Sequence, residues 1–482
     1  MRVYNYSIYA GARCNGLRSR NSQKRRSEMS IRLTDNMQQN LDFYCRQIVE
    51  NSVFDLEDYD LSSVKRGLRN PDGTGVTAGV TNICNVEGYY IDDNERIPRE
   101  GKLRFRGINM KYIVDACADE NRFGYEEVAW LLIFGRLPTK DELEQFTRNL
   151  GANRELPQDF IEDMIMKAPS PDIMNKMARC VLALYSYDDN PDETSVLNIL
   201  TQSLQILAKM PEIMGNAYQV KRRHYYRQSM SINPVNPAHT TAQAILSCVR
   251  PDGSFTDEEA KLLDTCLMVH AEHGGGNNST FATRVLSSSG TDTYSAIAAG
   301  IGALKGPRHG GANIKVAQMV ELLRQSVKNI NDEGQVADYL TKIVNREAGD
   351  GSGLIYGMGH AVYTLSDPRA VILKSRAEKA ALGTEFEEDF RLLSTIEKLT
   401  PEVFYNVKHN KKPMCANVDL YSGLIYKMLG IPEDLFTPIF TVARIAGWSA
   451  HRMEEVLTGG RIIRPAYKNV IRPGKYIPID ER

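Results

Sequence analysis

The chain has 482 residues, 42% of them hydrophobic and 25% charged, with a formal net charge of −1. That composition supports a large buried core and excludes a globally disordered chain. No apolar run approaches the roughly eighteen residues of a membrane helix, because even 128–134 is bounded by Glu126, Glu127 and Arg136.

Charge is unevenly placed. Residues 1–28 hold seven basic side chains (Arg2, Arg13, Arg18, Arg20, Lys24, Arg25, Arg26) and one acid, Glu28, leaving 52 basic and 59 acidic residues beyond them. A balance of that sign argues against general nucleic-acid binding, which needs a basic surface. The basic start resembles a mitochondrial transit peptide. The reading favoured here is a disordered basic tail or an upstream start ahead of Met29, since Tyr4, Ile8, Tyr9 and Leu17 form no apolar face. A cytoplasmic location is expected on that reading, with the mitochondrial matrix as the alternative. The eight cysteines form no Cys-x-x-Cys pair and sit mostly within apolar runs. They read as reduced core thiols, and no zinc or iron–sulfur site is expected from them.

In chain order, residues 66–106 are rich in Gly, Asn and Asp and punctuated by Pro71 and Pro98, which predicts short strands and turns such as 79–86 and 88–90. Helical periodicity dominates from about Tyr125. Thr139 with Glu142 three residues on predicts a capping box. Ser170-Pro171 is expected to open a second helix through Ile173, Met174, Met177, Val181, Leu184 and Tyr185. A third runs through Val196, Leu200, Leu204 and Leu207. Ala296, Ala298, Ala299, Gly300, Gly302 and Ala303 leave 294–304 almost without bulk, as in a deeply packed or subunit-contact helix. The fold class expected is mainly α with a few short N-terminal strands.

Three histidines stand in glycine-rich settings: Glu272-His273-Gly274-Gly275, Arg308-His309-Gly310-Gly311, and Tyr356-Gly357-Met358-Gly359-His360-Ala361. Glycine beside histidine lets a ligand approach ring and backbone together. His309 precedes the periodic segment 312–323 and is expected at a helix N-terminus, where the dipole disfavours imidazolium and leaves a neutral donor. Asp419 and Arg444 lie inside apolar stretches, where a charge is costly unless paired or functional.

Together the stretches 306–313, 357–362 with Asp367-Pro368-Arg369, and 417–423 resemble the three successive active-site signatures of the citrate synthase family, in the family's order. Leu103–Ile108, 127–139, Arg444 and Arg464-Pro465 resemble further landmarks, so the similarity spans roughly residues 65–467. The resemblance implies a helical homodimer with a large domain (29–311 and 430–482) and a small domain (312–429) that close over substrate. It implies that His309 hydrogen-bonds the thioester oxygen of acetyl-CoA, that Asp419 removes a methyl proton, and that His360 polarises and protonates the oxaloacetate ketone. His273, Arg369 and Arg444 would hold oxaloacetate, Arg464 would come from the neighbouring subunit, and Ile355, Tyr356, Gly357, Met358 and Gly359 would bind CoA. No cofactor, metal, membrane or nucleic-acid partner is implied; acetyl-CoA is a substrate, and the family's place is the tricarboxylic acid cycle.

The chemistry is coherent, because a carboxylate cannot remove a thioester α-proton unless the enol is stabilised as it forms, and a neutral donor opposite the base supplies that. Two positions depart from the pattern. Thr364 stands where animal members carry an arginine for CoA phosphates, and Ala361 lacks the arginine of some bacterial members; Arg308, Lys315, Lys374 and Arg376 are left as candidates. Glu272-His273-Gly274 replaces Asp-His-Glu. The alternatives are a 2-methylcitrate synthase using propionyl-CoA, a citryl-CoA-cleaving relative, a metal-binding helical protein using His270 and His273, and a non-catalytic scaffold.

Overall fold

The computed structural model describes residues 35–51, 59–93, 95–409, 413–471 and 473–482, so the basic stretch 1–28 lies outside the described residues. The chain divides into two units, one from residues 1–64 with 466–482 and the other Lys65–Pro465. The first contains helix α1 (Asp35–Asn51) and a C-terminal segment with exposed Tyr467, Ile471, Tyr476 and Ile479. The second holds the sheet and all further helices named.

Its sheet is small: β1 (Cys84–Asp92), β2 (Glu95–Phe105) and β3 (Ile108–Asn109) run antiparallel in the order β1-β2-β3. The two short strands expected at 79–86 and 88–90 are one strand starting at Cys84, interrupted by a register shift between Glu87 and Tyr89. β2 was not singled out within the stretch 66–106, because it contains Pro98 and six charged residues. Pro98 is tolerated since β3 pairs only with Arg104 and Phe105, leaving that edge of β2 without a strand partner.

Helices follow: α2 (Met110–Asp119), α3 (Tyr125–Phe134), α4 (Lys140–Ala152), α5 (Ile173–Leu184), α6 (Val196–Lys221), α7 (Thr241–Val249), α8 (Asp257–His270), α9 (Asn278–Ser288) and α10 (Thr293–Lys305). Then come α11 (Ala312–Ser326), α12 (Glu333–Val344), α13 (Pro368–Ala381), α14 (Glu387–Lys408), α15 (Asp419–Met428) and α16 (Phe436–Leu457). The protein is thus mainly α. The capping box at α4 is formed, with Thr139 N donating to Glu142 Oε2 at 2.8 Å and Glu142 N to Thr139 Oγ1 at 3.3 Å. α5 begins later than Ser170-Pro171 suggested. Its N-cap is Asp172, which accepts from Asn175 N at 2.7 Å, while the Ser170 hydroxyl is turned to the Asp172 backbone. α2 was missed because ten residues with a modest apolar face fall before the strong periodicity begins.

α16 forms the centre. Every residue from Phe436 to Met453 is buried, so it is the core helix around which α3, α6, α8, α9 and α10 pack. The small-residue helix α10 lies against α9, α5 and α16, and an added Cβ at Gly300 would meet the Trp448 ring at 3.0 Å. A second group, α11 to α15, packs mostly within itself through α12–α14, α13–α15 and α11–α15.

Candidate active site

The candidate residues arrive from separate elements: His273 just past α8, His309 in the turn before α11, His360 in the loop before α13, Arg369 in the first turn of α13, Asp419 as the first residue of α15, and Arg444 in mid-α16. Packing brings most of them together. The His273 and His360 rings meet edge to face with centroids 5.1 Å apart, and Tyr363 stacks on His360 at 4.7 Å while touching His273 at 5.5 Å. The Arg369 guanidinium lies 3.5 Å from His360 Nε2 and 6.0 Å from the Tyr363 ring centre.

The His360 loop is tied to the start of α15 like two strands. Met358 bridges Ala416, Gly359 N donates to Cys415 O and Asn417 N to Gly357 O, both at 2.8 Å. Asn417 also donates Nδ2 to Gly359 O at 2.9 Å and accepts from Asp419 N at 3.0 Å. Within the loop, His360 Nδ1 accepts from two backbone amides, Val362 N and Tyr363 N, each at 3.1 Å. Nδ1 is therefore bare, and the neutral ring carries its proton on Nε2.

Arg369 is fixed by Asp367, the N-cap of α13. Asp367 takes Nε at 3.0 Å and Nη2 at 2.7 Å, both residues being buried. Arg444 is different: it is 0% exposed, its Nε donates to His270 O at 2.6 Å, and its face lies over Phe440 at 4.7 Å. Among the described residues its Nη1 and Nη2 have no hydrogen-bond partner, and neither does His273 Nε2 or the buried Tyr363 hydroxyl. A buried guanidinium with both terminal nitrogens unsatisfied is costly unless an anion occupies that face, and a carboxylate matches its fork.

The electrostatics separate acid from base. Burial pushes the Asp419 carboxyl up to about 6, with Arg369 pulling it down and Asp367 pushing it further up. Burial, then Arg369, takes His360 down to about 4; burial, then Arg444, takes His309 down to about 4. Burial and Arg369 hold His273 well below the ordinary histidine value. At neutral pH the site thus offers neutral imidazoles beside an ionised Asp419. His309 lies two residues before Gly311, the N-cap of α11, so its neutrality has burial and Arg444 as causes rather than the first turn of a helix. Its Nε2 faces Ser279 Oγ at 3.1 Å, which also receives Trp448 Nε1–H at 3.3 Å.

Beneath His273, the fully buried Glu272 accepts from Gly274 N at 2.6 Å and from His451 Nε2 at 3.1 Å. Burial raises this carboxyl, but His451 and Arg444 outweigh it and hold it below its ordinary value. His451 Nδ1 in turn faces Arg284 Nη1 at 2.7 Å, and Arg284 pairs with Glu454 and Glu455. This network escaped the sequence reading, since α16 reads as an apolar run and its partners lie over 150 residues away.

Not every candidate joins the cluster. Arg464 is exposed in the segment after α16, with no ion pair among the described residues. Ile355 is buried, and the Tyr356 hydroxyl donates to Asp350 Oδ2 at 2.7 Å, which Lys315 Nζ also approaches at 3.3 Å. Lys374 is engaged by Glu397 at 2.7 Å. His270 pairs with the Tyr426 hydroxyl at 3.0 Å and stacks on Phe440, and no group of three or more His, Cys, Asp or Glu that could hold a metal occurs among the described residues.

Comparison with known proteins matches residues 71–466 to the model of the citrate synthase C-terminal domain. The citrate synthase of Acidithiobacillus ferridurans is 34% identical over 427 residues, 86% of this chain and 98% of the relative. That of Haloferax volcanii is 33% identical over 427 residues, 87% and 99%. 2-Methylcitrate synthase 1 of Corynebacterium glutamicum is 30% identical over 430 residues, 87% and 99%. The crystal structure of citrate synthase from Thermotoga maritima superposes with a TM-score of 0.67 at 28% identity, covering 87% of this chain and 99% of that one. A ternary complex of carboxymethyl coenzyme A and oxaloacetate with the citrate synthase of Thermoplasma acidophilum gives 0.69 at 25% identity, with coverage of 87% and 99%. The chain belongs to the citrate synthase family.

Proposed function

We propose that this protein condenses acetyl-CoA with oxaloacetate and hydrolyses the resulting citryl thioester to citrate and CoA. The observation that carries this reading is Arg444: a fully buried guanidinium whose two terminal nitrogens lack partners supports bidentate capture of a carboxylate. Arg369 and His273 complete the oxaloacetate site, and Arg464 reaches it across a homodimer contact.

Asp419, ionised at neutral pH, takes a methyl proton from acetyl-CoA. Neutral His309 donates a ring N–H to the thioester oxygen as the enol forms. The enol carbon attacks the oxaloacetate ketone, and His360 Nε2–H is given to the new alkoxide. The stretch Ile355, Tyr356, Gly357, Met358, Gly359 binds CoA. Closure of a small lobe (312–429) on a large one excludes water until the carbon–carbon bond exists, limiting futile thioester hydrolysis. All seven described cysteines are free and six are buried, which supports a reducing compartment such as the cytoplasm.

A 30% identical 2-methylcitrate synthase favours propionyl-CoA as the second reading, since one methylene is discriminated by only about 1–3 kcal/mol. The test is release of free CoA thiol from acetyl-CoA and propionyl-CoA in EDTA, with and without oxaloacetate. Oxaloacetate-dependent release supports condensation, and the rate ratio chooses the acyl group. No release with either thioester from folded protein refutes the reading.

A further inference from the structure

His360 Nδ1 is held by the N–H groups of two consecutive peptide units, Ala361–Val362 and Val362–Tyr363. The carbonyls of those same two units, Ala361 O and Val362 O, both accept from a single group, Nη2 of Arg96, at 3.3 and 3.1 Å. Arg96 lies on β2, 264 positions before His360 in the chain. Its guanidinium is stacked 4.0 Å from the Tyr89 ring centre on β1, which holds it on a further side.

The hairpin is pressed onto the loop backbone to backbone. An added Cβ at Gly88 would meet Val362 O at 2.5 Å, and one at Gly101 would meet Ser366 O at 2.1 Å. Gly101 N donates to Ser366 Oγ at 3.1 Å, and Ser366 also bonds Glu100. No side chain larger than hydrogen fits at those two contacts, so the hairpin sets the position of residues 361–366 directly.

From this geometry we infer that Arg96 is a positioning residue for His360: its guanidinium fixes and polarises, through two parallel peptide units, the amides that hold Nδ1, so that the ring presents its proton on Nε2 to the reacting ketone. A cation on each carbonyl strengthens the N–H of the same unit as a donor, because hydrogen bonds in a chain polarise one another. Two strengthened donors on Nδ1 disfavour its protonation, which keeps the ring neutral and selects one tautomer. β1 and β2 thereby acquire a role in catalysis without touching substrate. This inference rests on the condensation reading for its kinetic consequence but not for its structural one.

The test compares wild type with Arg96→Ala and Arg96→Lys in the full chain. It reads kcat and KM for oxaloacetate, the pH profile of kcat, the thermal midpoint, and the ring ¹⁵N shifts of labelled histidine, His360 being assigned by its loss in His360→Gln. In Arg96→Ala we expect kcat to fall roughly 10-fold, with KM within about 2-fold because no substrate contact is lost. The acid limb, set in wild type by Asp419 near 6, should steepen as His360 rises from about 4 toward the ordinary histidine value, and the Nδ1 signal at pH 6 should move toward imidazolium. Arg96→Lys, which keeps a charged donor, should recover part of each, a recovery that loose packing alone does not give. A folded Arg96→Ala with unchanged kcat, pH limb and Nδ1 signal overturns the inference. If Arg96→Ala does not fold, the Nδ1 signal of Arg96→Lys decides: an intermediate shift supports the relay, an unchanged one overturns it. If wild type lacks condensation activity, the functional reading fails while the ring signals still judge the relay.

Discussion

The side-chain amide of Asn417 donates to Gly359 O at 2.9 Å while its carbonyl oxygen accepts from Asp419 N at 3.0 Å. One residue thus locks the loop that carries His360 to the helix start that carries Asp419, fixing the proposed acid relative to the proposed base. Asn417→Ala removes both bonds. Each is worth about 0.5–1.5 kcal/mol net, so unfolding free energy should fall by roughly 1–3 kcal/mol in urea titration. Because small misplacements of reacting groups are expensive, kcat should fall by at least about 10-fold.

Arg444 supplies a binding prediction. If its free Nη1 and Nη2 hold a substrate carboxylate, Arg444→Lys loses the two-pronged contact while keeping a cation. Charge-assisted bonds contribute about 1.5–3 kcal/mol each, so KM for oxaloacetate should rise by roughly 10- to 150-fold, with KM for acetyl-CoA changing far less. Initial rates at varied oxaloacetate check this.

The pH dependence follows from opposite shifts. Asp419 must be ionised to act as base, and burial raises it to about 6. kcat/KM for acetyl-CoA should therefore climb about tenfold per unit below pH 6 and level off above it. Stability runs through the histidines. His309 and His360 are held down to about 4, chiefly by burial, so the unfolded chain binds protons that the folded one refuses between about pH 6.5 and 4. The stability they confer is full above the unfolded value and is lost as pH falls toward 4, each histidine steepening the loss by at most about 1.4 kcal/mol per pH unit. Asp419, raised from 3.8 to about 6, opposes this below pH 6 with the slope of one histidine, which the two histidines together outweigh. Urea midpoints should be lower at pH 5 than at pH 7.5.

Gly447 on α16 sits directly behind Glu272: an added Cβ would meet Glu272 Oε2 at 2.2 Å and Ala271 O at 2.5 Å. Gly447→Ala should gain helix propensity but lose more to overpacking, about 1–3 kcal/mol, and should displace His273 with Glu272. A lowered thermal midpoint together with a raised oxaloacetate KM is expected; a neutral or stabilised variant contradicts this packing.

Much of this was legible in the sequence for physical reasons. The α4 capping box is a local pattern that reciprocal hydrogen bonds enforce. His273, His360 and Arg444 could be singled out because imidazole among glycines and charge among apolar residues call for a reason, whereas Arg369 was reached through the resemblance alone. What could not be read was long range. β2 was not singled out within the strand-and-turn stretch 66–106 because Pro98 hides its alternation, and its role as a platform for the His360 loop depends on contacts some 265 positions apart. The N-cap of α5 went to Asp172 because a carboxylate reaching Asn175 N outcompetes Ser170-Pro171. The Glu272–His451–Arg284 chain exists only once α8, α9 and α16 have packed.

The most direct measurement is oxaloacetate-dependent release of CoA thiol from acetyl-CoA by wild type beside Asp419→Ala, both shown to be folded by thermal unfolding. We expect rapid release from wild type and a loss of roughly 100-fold or more in the variant, the scale of removing a general base. Equal release from both proteins would contradict the assignment of Asp419 as the base around which the site is built.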